Sequence, residues 1–353
     1  MDQELMMILT RHAGRYPQME PRDAVKLIYQ NEFGGGHMIA DPEQSLRCLL
    51  AEHSVTPRRE NVALAEDIGN GMVRVNLAAV GEENYPLEEL NGDFVRSAAL
   101  HRGSMDSFLG KLELLRALTG RGVFAFSPRE LEEYLAPYIA SGCPPVSHSQ
   151  TYRDAYGPAY RVVCRDVSFR LLVSEIRGLR KVGKPVLVAL DGRCASGKTT
   201  LARRLGECCG WSVAHMDHFF LRPEQRTAQR YAAPGENIDH ERFLAEVLGP
   251  LSRGEQPLYR PFRCGDMTVG EPVDFPVTDV VIVEGSYSCH PALWECYDLH
   301  VFVTLDREKQ MQRIIDRDGA DYARVFRDKW IPLEERYFSA FRVEERCEWK
   351  FIG

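Results

Sequence analysis

No apolar run in this sequence comes near the ~20 residues needed to cross a bilayer; stretches such as 5–9, 186–190 and 280–283 end after five residues or fewer. The N-terminus carries Asp2 and Glu4 and has no basic segment leading into a long apolar stretch, so it does not read as a secretory signal. Cytoplasm is the expected compartment. The 10 cysteines form no CxxC pair and show no metal-site spacing with histidine, and they read as reduced thiols. An excess of basic charge is also missing. Lys and Arg number 44 against 51 Asp and Glu, for a formal net charge of −7, divided 20 against 24 over residues 1–180 and 24 against 27 over 181–353. Neither half is therefore a basic nucleic-acid module, and neither a nucleic acid nor a membrane is an expected partner. Internal repeats and low-complexity tracts are absent. At 353 residues the chain is long enough for two domains of roughly 100–200 residues each.

The first half is helical in pattern. Ser127-Pro128-Arg129-Glu130 combines capping-box spacing with proline at the first helical position, and Leu131, Tyr134, Leu135 and Tyr138 follow on one face. Similar periodicity predicts helices over 21–30, 42–53, 87–100 and 104–118. Ile68-Gly69-Asn70-Gly71-Met72 predicts a tight hairpin turn. Near Val182-Gly183-Lys184-Pro185 the texture changes to buried-strand runs at 186–190, 211–216, 280–283 and 299–303, alternating with helical stretches near 198–208 and 240–251. That alternation predicts a parallel sheet flanked by helices. The expected division is a mostly helical accessory domain with a small hairpin at 1–180 and an α/β domain at 181–353.

Gly192-Arg193-Cys194-Ala195-Ser196-Gly197-Lys198-Thr199 fits the phosphate-loop pattern G-x-x-x-x-G-K-[ST] at every position, after a strand and before a helix. Glycines let backbone N–H groups curl around phosphates, and the helix N-terminus adds its positive end. Residues Gly192 to Thr199, with Thr200, are the expected ATP-binding set. Lys198 should reach the β- and γ-phosphates and Thr199 should ligate Mg²⁺. Asp217 and Glu284 follow strands, where such sheets present catalytic groups. Asp217 could orient or deprotonate an acceptor hydroxyl and Glu284 could hold Mg²⁺; strand-end capping is the competing reading for both. Asp239 is equally a good helix cap. Arg313 and Arg317, four apart on a predicted helix, suit a lid over transferring phosphate, or a solvated face.

From Lys184 onward the sequence resembles the uridine kinase family of P-loop kinases, and more distantly phosphoribulokinase and pantothenate kinase. The resemblance rests on the run from Asp191 to Thr200, on Met216-Asp217-His218-Phe219-Phe220, Ile238-Asp239-His240, Pro257-Leu258-Tyr259 and Val283-Glu284-Gly285, and on the segment bounded by Arg313 and Arg317. It implies a P-loop sheet, ATP and Mg²⁺ as cofactors, and transfer of the γ-phosphoryl group to a small-molecule hydroxyl, in the family the 5′-hydroxyl of a nucleoside. By resemblance Asp217 is the catalytic base, with Lys198, Glu284, Arg313 and Arg317 acting on the phosphates. Phe219, Asp239 and Tyr259 lie on the acceptor, Asp239 as a ribose ligand and Tyr259 as a pocket wall, and Glu284 associates with Mg²⁺. One departure is clear: the family places a histidine against the pyrimidine shortly after the tyrosine, and residues 260–266 contain none, offering Arg263, Cys264 and Asp266 instead. Another sugar or alcohol acceptor therefore stays open.

Other segments are less legible. Asn237, Arg222 and Arg226 could touch acceptor or phosphate. The stretch 330–338 predicts a helix from its proline, with Tyr337 and Phe338 packing in the core. Glu32 and His37 flank three glycines that read as a helix connection or a ligand loop, and 147–161 concentrates His, Tyr and Arg, as a packed helical face or the lining of a second site. A nucleotide-driven regulator is the alternative to a kinase. Asn-Lys-x-Asp and Leu-Ser-Gly-Gly signatures are missing, and Glu284-Gly285 stands in place of the Asp-Glu of motor ATPases. Monomer and homo-oligomer are both open.

Overall fold

The computed structural model describes residues 3–353 apart from 37, 38, 40, 60, 61, 101, 102, 180 and 181. It forms two compact units, Met1–Leu171 and Leu172–Gly353. The helix Phe169–Gly178 runs across that division, so the texture of the sequence changes only after the helix ends, near 180. Among the described residues no helix is long and apolar enough to cross a membrane, and all ten cysteines are free.

In the first unit, α1 (Gln3–Arg15), α2 (Pro21–Phe33), α3 (Pro42–Val55), α4 (Leu87–Leu100), α5 (Met105–Gly120), α6 (Pro128–Ala140) and α7 (Gln150–Tyr156) surround a small sheet of β1 (Ala65–Gly69), β2 (Met72–Asn76) and β3 (Tyr160–Cys164), and α8 (Phe169–Gly178) follows. The capping box at α6 is formed: Ser127 accepts from the Glu130 N–H, and the Glu130 carboxylate accepts from the Ser127 N–H. The helix then buries Leu131, Leu135 and Tyr138 against Leu5, Leu27, Ile28 and Phe108 of the core. At the hairpin, Asn70 and Gly71 both have positive φ, 56° and 68°, the backbone a tight two-residue turn requires. The hairpin has company that the sequence did not reveal. β3 pairs antiparallel with β2 from Asn76↔Tyr160 to Met72↔Cys164, because a lone two-stranded ribbon is marginal in water and Val162 and Val163 supply buried β-branched side chains for its open edge.

The second unit contains β4 (Val186–Gly192), α9 (Lys198–Cys209), β5 (Ser212–His215), β6 (Val280–Glu284), β7 (Leu299–Thr304), α10 (Arg307–Asp318), α11 (Ile331–Phe341) and β8 (Trp349–Ile352). Its five-stranded sheet runs β8-β7-β4-β6-β5 and every pair is parallel. All seven residues of β4 are buried, as a strand covered on both faces requires. Strand order reverses at β4, since the next strand in the chain lies beyond β6 while β7 lies on its other side. A crevice therefore opens at the carboxyl end of β4, where ligands bind in such sheets. The expected helix over 240–251 is present but widens at Leu244–Leu248 into a π-helical turn, ahead of Pro250, which has no N–H to donate.

Candidate active site

β4 delivers the chain into a loop whose shape depends on glycine. Gly192 has φ 136°, and a Cβ there would overlap the Val303 carbonyl of the neighbouring strand. The Arg193 N–H donates to that carbonyl at 3.2 Å, the Ser196 N–H closes the turn onto Arg193 O at 3.1 Å, and Gly197 enters α9 at φ 99°. As a glycine N-cap it supplies no side-chain oxygen, so the first-turn N–H groups of α9 are uncapped and available to an anion. Lys198 Nζ donates to Gly192 O at 2.8 Å and to Arg193 O at 2.9 Å. Its charge thus spans the loop with carbonyl partners and no carboxylate.

α10 lies over this loop. Gln310 Nε2 donates to Cys194 O at 3.0 Å and Arg313 Nη1 to Ala195 O at 3.3 Å. Arg317 turns to Asp318, 2.8 Å away, and lies by the Phe326 ring. Arg313 is therefore at the phosphate loop, whereas Arg317 is held one step off it. The Arg193 side chain serves the fold: it reaches Thr304, Glu335 and Glu344 at 2.7, 2.8 and 3.1 Å and lies near Phe302 and Phe338, leaving its backbone to the loop. Burial pushes the Cys194 thiol up to about 12, with the Glu334 carboxylate adding to the effect, so it is no nucleophile.

Exposed Thr199 donates from Oγ1 to Glu284 Oε2 at 3.0 Å, and buried Glu284 accepts at Oε1 from His215 Nδ1 at 2.6 Å. That hydrogen bond is the main reason the His215 pKa is raised. Asp217 follows β5 on a 3-10 turn, solvent-accessible but set in a recess of protein atoms. Desolvation there, then the Glu284 charge, raises its pKa, while Lys198 pulls it down. Gly285, at φ 137°, lets the end of β6 approach: a Cβ would stand 2.8 Å from Met216 Cβ and 3.4 Å from Asp217 Oδ1.

The expected acceptor residues are divided. Tyr259, almost wholly buried, donates its hydroxyl to His218 Nδ1 at 3.1 Å and forms a wall beneath that imidazole. Phe219 has no exposed surface. It packs under Tyr259 and the Arg242 guanidinium and supports the wall without reaching the cleft. Asp239 caps its helix by accepting from the Arg242 N–H at 3.2 Å, and accepts from Gln225 Nε2 at 2.8 Å, so its enclosed carboxylate has protein partners. Asn237 is buried, Arg222 reaches Gln225 and Glu224, and Arg226 donates to Leu221 O. His37 lies outside the described residues. Glu32 anchors α5, accepting from Ser104 N–H, Ser107 Oγ and Lys111 Nζ at 2.7, 2.9 and 2.6 Å.

Sequence reasoning missed four groups here. Glu334 accepts from the Cys194 N–H, His215 orients Glu284, and His218, the residue after Asp217, accepts from the Tyr259 hydroxyl. The fourth is Asp191. Fully buried, it accepts from the Gly192, Tyr287 and Cys289 N–H groups and the Tyr337 hydroxyl at 2.7–3.0 Å, and burial raises its pKa to about 6. Only Asp191 carried a signal, its place directly before Gly192. Glu236, His240 and His290 have ligand atoms within 4.8 Å of one another. His290 Nδ1 accepts from the Ala292 N–H, which places its proton on Nε2, facing Glu236 at 3.8 Å; the trio is a polar cluster rather than a metal set.

No family model matches the chain. Among solved structures it is similar to a uridine kinase candidate from Bacillus stearothermophilus, at 21% identity over 51% of this chain and 98% of that one, TM-score 0.38. A candidate fructose transport system kinase from Silicibacter gives 20%, 52%, 99% and 0.44. D-glycerate 3-kinase from Cryptococcus neoformans gives 16%, 51%, 89% and 0.37. By its own strand order and loop geometry, the chain is a P-loop α/β unit behind a mostly helical one, the fold class expected from the sequence.

Proposed function

We propose that the second unit is an ATP- and Mg²⁺-dependent kinase that transfers the γ-phosphoryl group to a hydroxyl of a small molecule, with the 5′-hydroxyl of a nucleoside as the favoured acceptor. The carrying observation is an accessible carboxylate, Asp217, near enough to Lys198 and Glu284 for their charges to act on it, at the mouth of a phosphate loop. Thr199 and Glu284 would hold Mg²⁺, and their hydroxyl and carboxylate oxygens are the hard donors that ion takes. Held there, the ion would supply positive charge against the phosphoryl oxygens. Lys198 exchanges loop carbonyls for phosphate oxygens, and the uncapped N–H groups of α9 bind the same anion. Arg313 adds a planar donor from the other side. Asp217 accepts a hydrogen bond from the acceptor hydroxyl, aligns its oxygen and takes its proton as the new O–P bond forms and the bond from the γ-phosphorus to the β,γ-bridging oxygen breaks, releasing ADP. Positioning and electrostatics supply most of the acceleration.

His218, half-buried against Tyr259, offers an imidazole beside the acceptor position, which supports a nucleoside despite the lack of histidine in 260–266. Free thiols suit a reducing cytoplasm. The test is ADP release with Mg·ATP across nucleosides, sugars and small alcohols, with mass spectrometry of products. Phosphorylated uridine or cytidine supports the nucleoside reading. A different product moves attention to 260–266, and ADP release indifferent to every acceptor favours a regulatory ATPase.

A further inference from the structure

The first unit contains a cavity of about 300 Å³ between the end of α1, the segment after α3, the face of β2 and the α7–β3 connection. We propose that it is a binding site for a small organic oxyanion, a phosphate- or carboxylate-bearing metabolite with a single compact ring. All its lining residues lie within 1–171, so it is separate from the phosphate loop and goes beyond the kinase reading.

Arg74 carries the inference. It sits in the middle of β2 and is only 2% exposed, yet among the described residues it makes no ion pair. Nε and Nη2 both donate to the single oxygen Gln30 Oε1, at 2.9 and 2.7 Å, and Nη1 has no hydrogen-bond partner. Glu66 is near enough for its charge to favour the guanidinium but is paired in contact with Arg15, so the buried charge has no counter-ion at contact distance, and an anion in the cavity that Arg74 lines would supply one. Its charge is felt nearby: desolvation first and Arg74 second lower Lys26 to about 8.

The lining as a whole is positive in balance. Arg59, exposed at the rim, has no side-chain partner among the described residues. Arg15 pairs with Glu66 at 3.1 Å, and Glu66 also accepts from the Tyr16 hydroxyl at 3.0 Å. Three arginines thus face one carboxylate. Arginine forks match the paired oxygens of carboxylate or phosphate.

The walls are aromatic and fixed in advance. The Tyr160 ring lies under the Arg74 guanidinium at 4.7 Å, and its hydroxyl donates to His148 Nε2 at 2.7 Å. His148 Nδ1 donates to Asp23 at 2.7 Å, and Asp23 is held by the Ser149 N–H and hydroxyl. Tyr156 packs edge-on against Tyr16 at 5.1 Å, giving flat apolar surface beside the positive floor. The volume is at the small end for ligand sites, the size of a sugar phosphate or a monocyclic acid.

Calorimetric titration of the full chain with ribose 5-phosphate and, separately, with benzoate tests this. Single-site submillimolar binding of ribose 5-phosphate assigns a phosphate ligand, and of benzoate a carboxylate. Arg59→Ala, at an exposed position that leaves the fold intact, should weaken binding about tenfold through loss of one charge-assisted contact, and Arg74→Lys should weaken it at least as much. Lys198→Ala should bind as the unaltered chain does, because the phosphate loop is not the site. Binding of neither probe, binding abolished by Lys198→Ala, or binding indifferent to Arg59→Ala overturns the proposal.

Discussion

The Glu334 carboxylate of α11 accepts a 2.9 Å hydrogen bond from the backbone N–H of Cys194, inside the phosphate loop and 140 residues away in sequence. Its other oxygen accepts the Ser286 hydroxyl at 2.6 Å. One buried side chain therefore ties the loop after β4 to the turn after β6 and to a helix near the C-terminus. Glu334→Gln keeps the volume but leaves one of the two donors facing an amide NH₂. An unsatisfied buried group costs about 1–3 kcal/mol, so the urea midpoint should fall accordingly; an unchanged midpoint would mean the tie is dispensable.

Thr199 Oγ1 and Glu284 Oε2 are 3.0 Å apart and are the oxygen pair proposed for the metal. Thr199→Ala removes a small exposed hydroxyl from the first turn of α9 and should leave the fold intact. The Mg²⁺ concentration for half-maximal turnover should rise roughly tenfold, the equivalent of about 1.4 kcal/mol. An unaltered Mg²⁺ dependence would remove Thr199 from the metal site.

As the proposed base, Asp217 must be ionised to accept a proton, and its pKa is raised, so turnover should grow as pH climbs through a value above the ordinary carboxylate range. The positive charge of His215 pulls that value down, and His215 also engages Glu284, the charge that pushes it up. His215→Asn weakens the first effect and frees the second, so the acid limb of kcat/KM should move to higher pH. A limb that stays put or moves lower contradicts this assignment of the base.

Burial raises Asp191 from 3.8 to about 6. The folded state therefore binds a proton that the unfolded state has already lost between about pH 4 and pH 6. The stability from this group is fully present below pH 4 and is lost as pH rises through about 6, a change of about 3 kcal/mol at 1.36 kcal/mol per unit. Asp191→Asn should flatten that part of the stability–pH curve in urea titrations across the window. An identical slope in the variant would show that Asp191 is not its source.

The sequence was most legible where one residue type is forced by geometry. Gly192 must avoid Val303 O, Lys198 and Thr199 follow at fixed spacing, and the strand runs are buried on both faces. The α6 capping box was readable for the same local reason. What depends on partners distant in sequence was not. β3 joins β2 across more than 80 residues, and Glu334 meets Cys194 across 140. Asp239 and Phe219 carry family-like motifs; the helix cap at Asp239 was legible beside its motif, but only the folded chain reveals that Phe219 lies wholly under Tyr259 and Arg242. In the first unit, 147–161 reads as either a packed helical face or the lining of a second site; Tyr152 is buried in the core, and Tyr156 and Tyr160 line a cavity.

The most direct test of the kinase reading is single-turnover transfer of labelled γ-phosphate from Mg·ATP to uridine, comparing the unaltered chain with Asp217→Asn and Lys198→Ala. Labelled uridine monophosphate should form with the unaltered chain and fall by roughly 10²–10⁴-fold with Asp217→Asn, while Lys198→Ala abolishes it and both variants keep their circular dichroism. Transfer at near-normal rate by either folded variant would contradict the account.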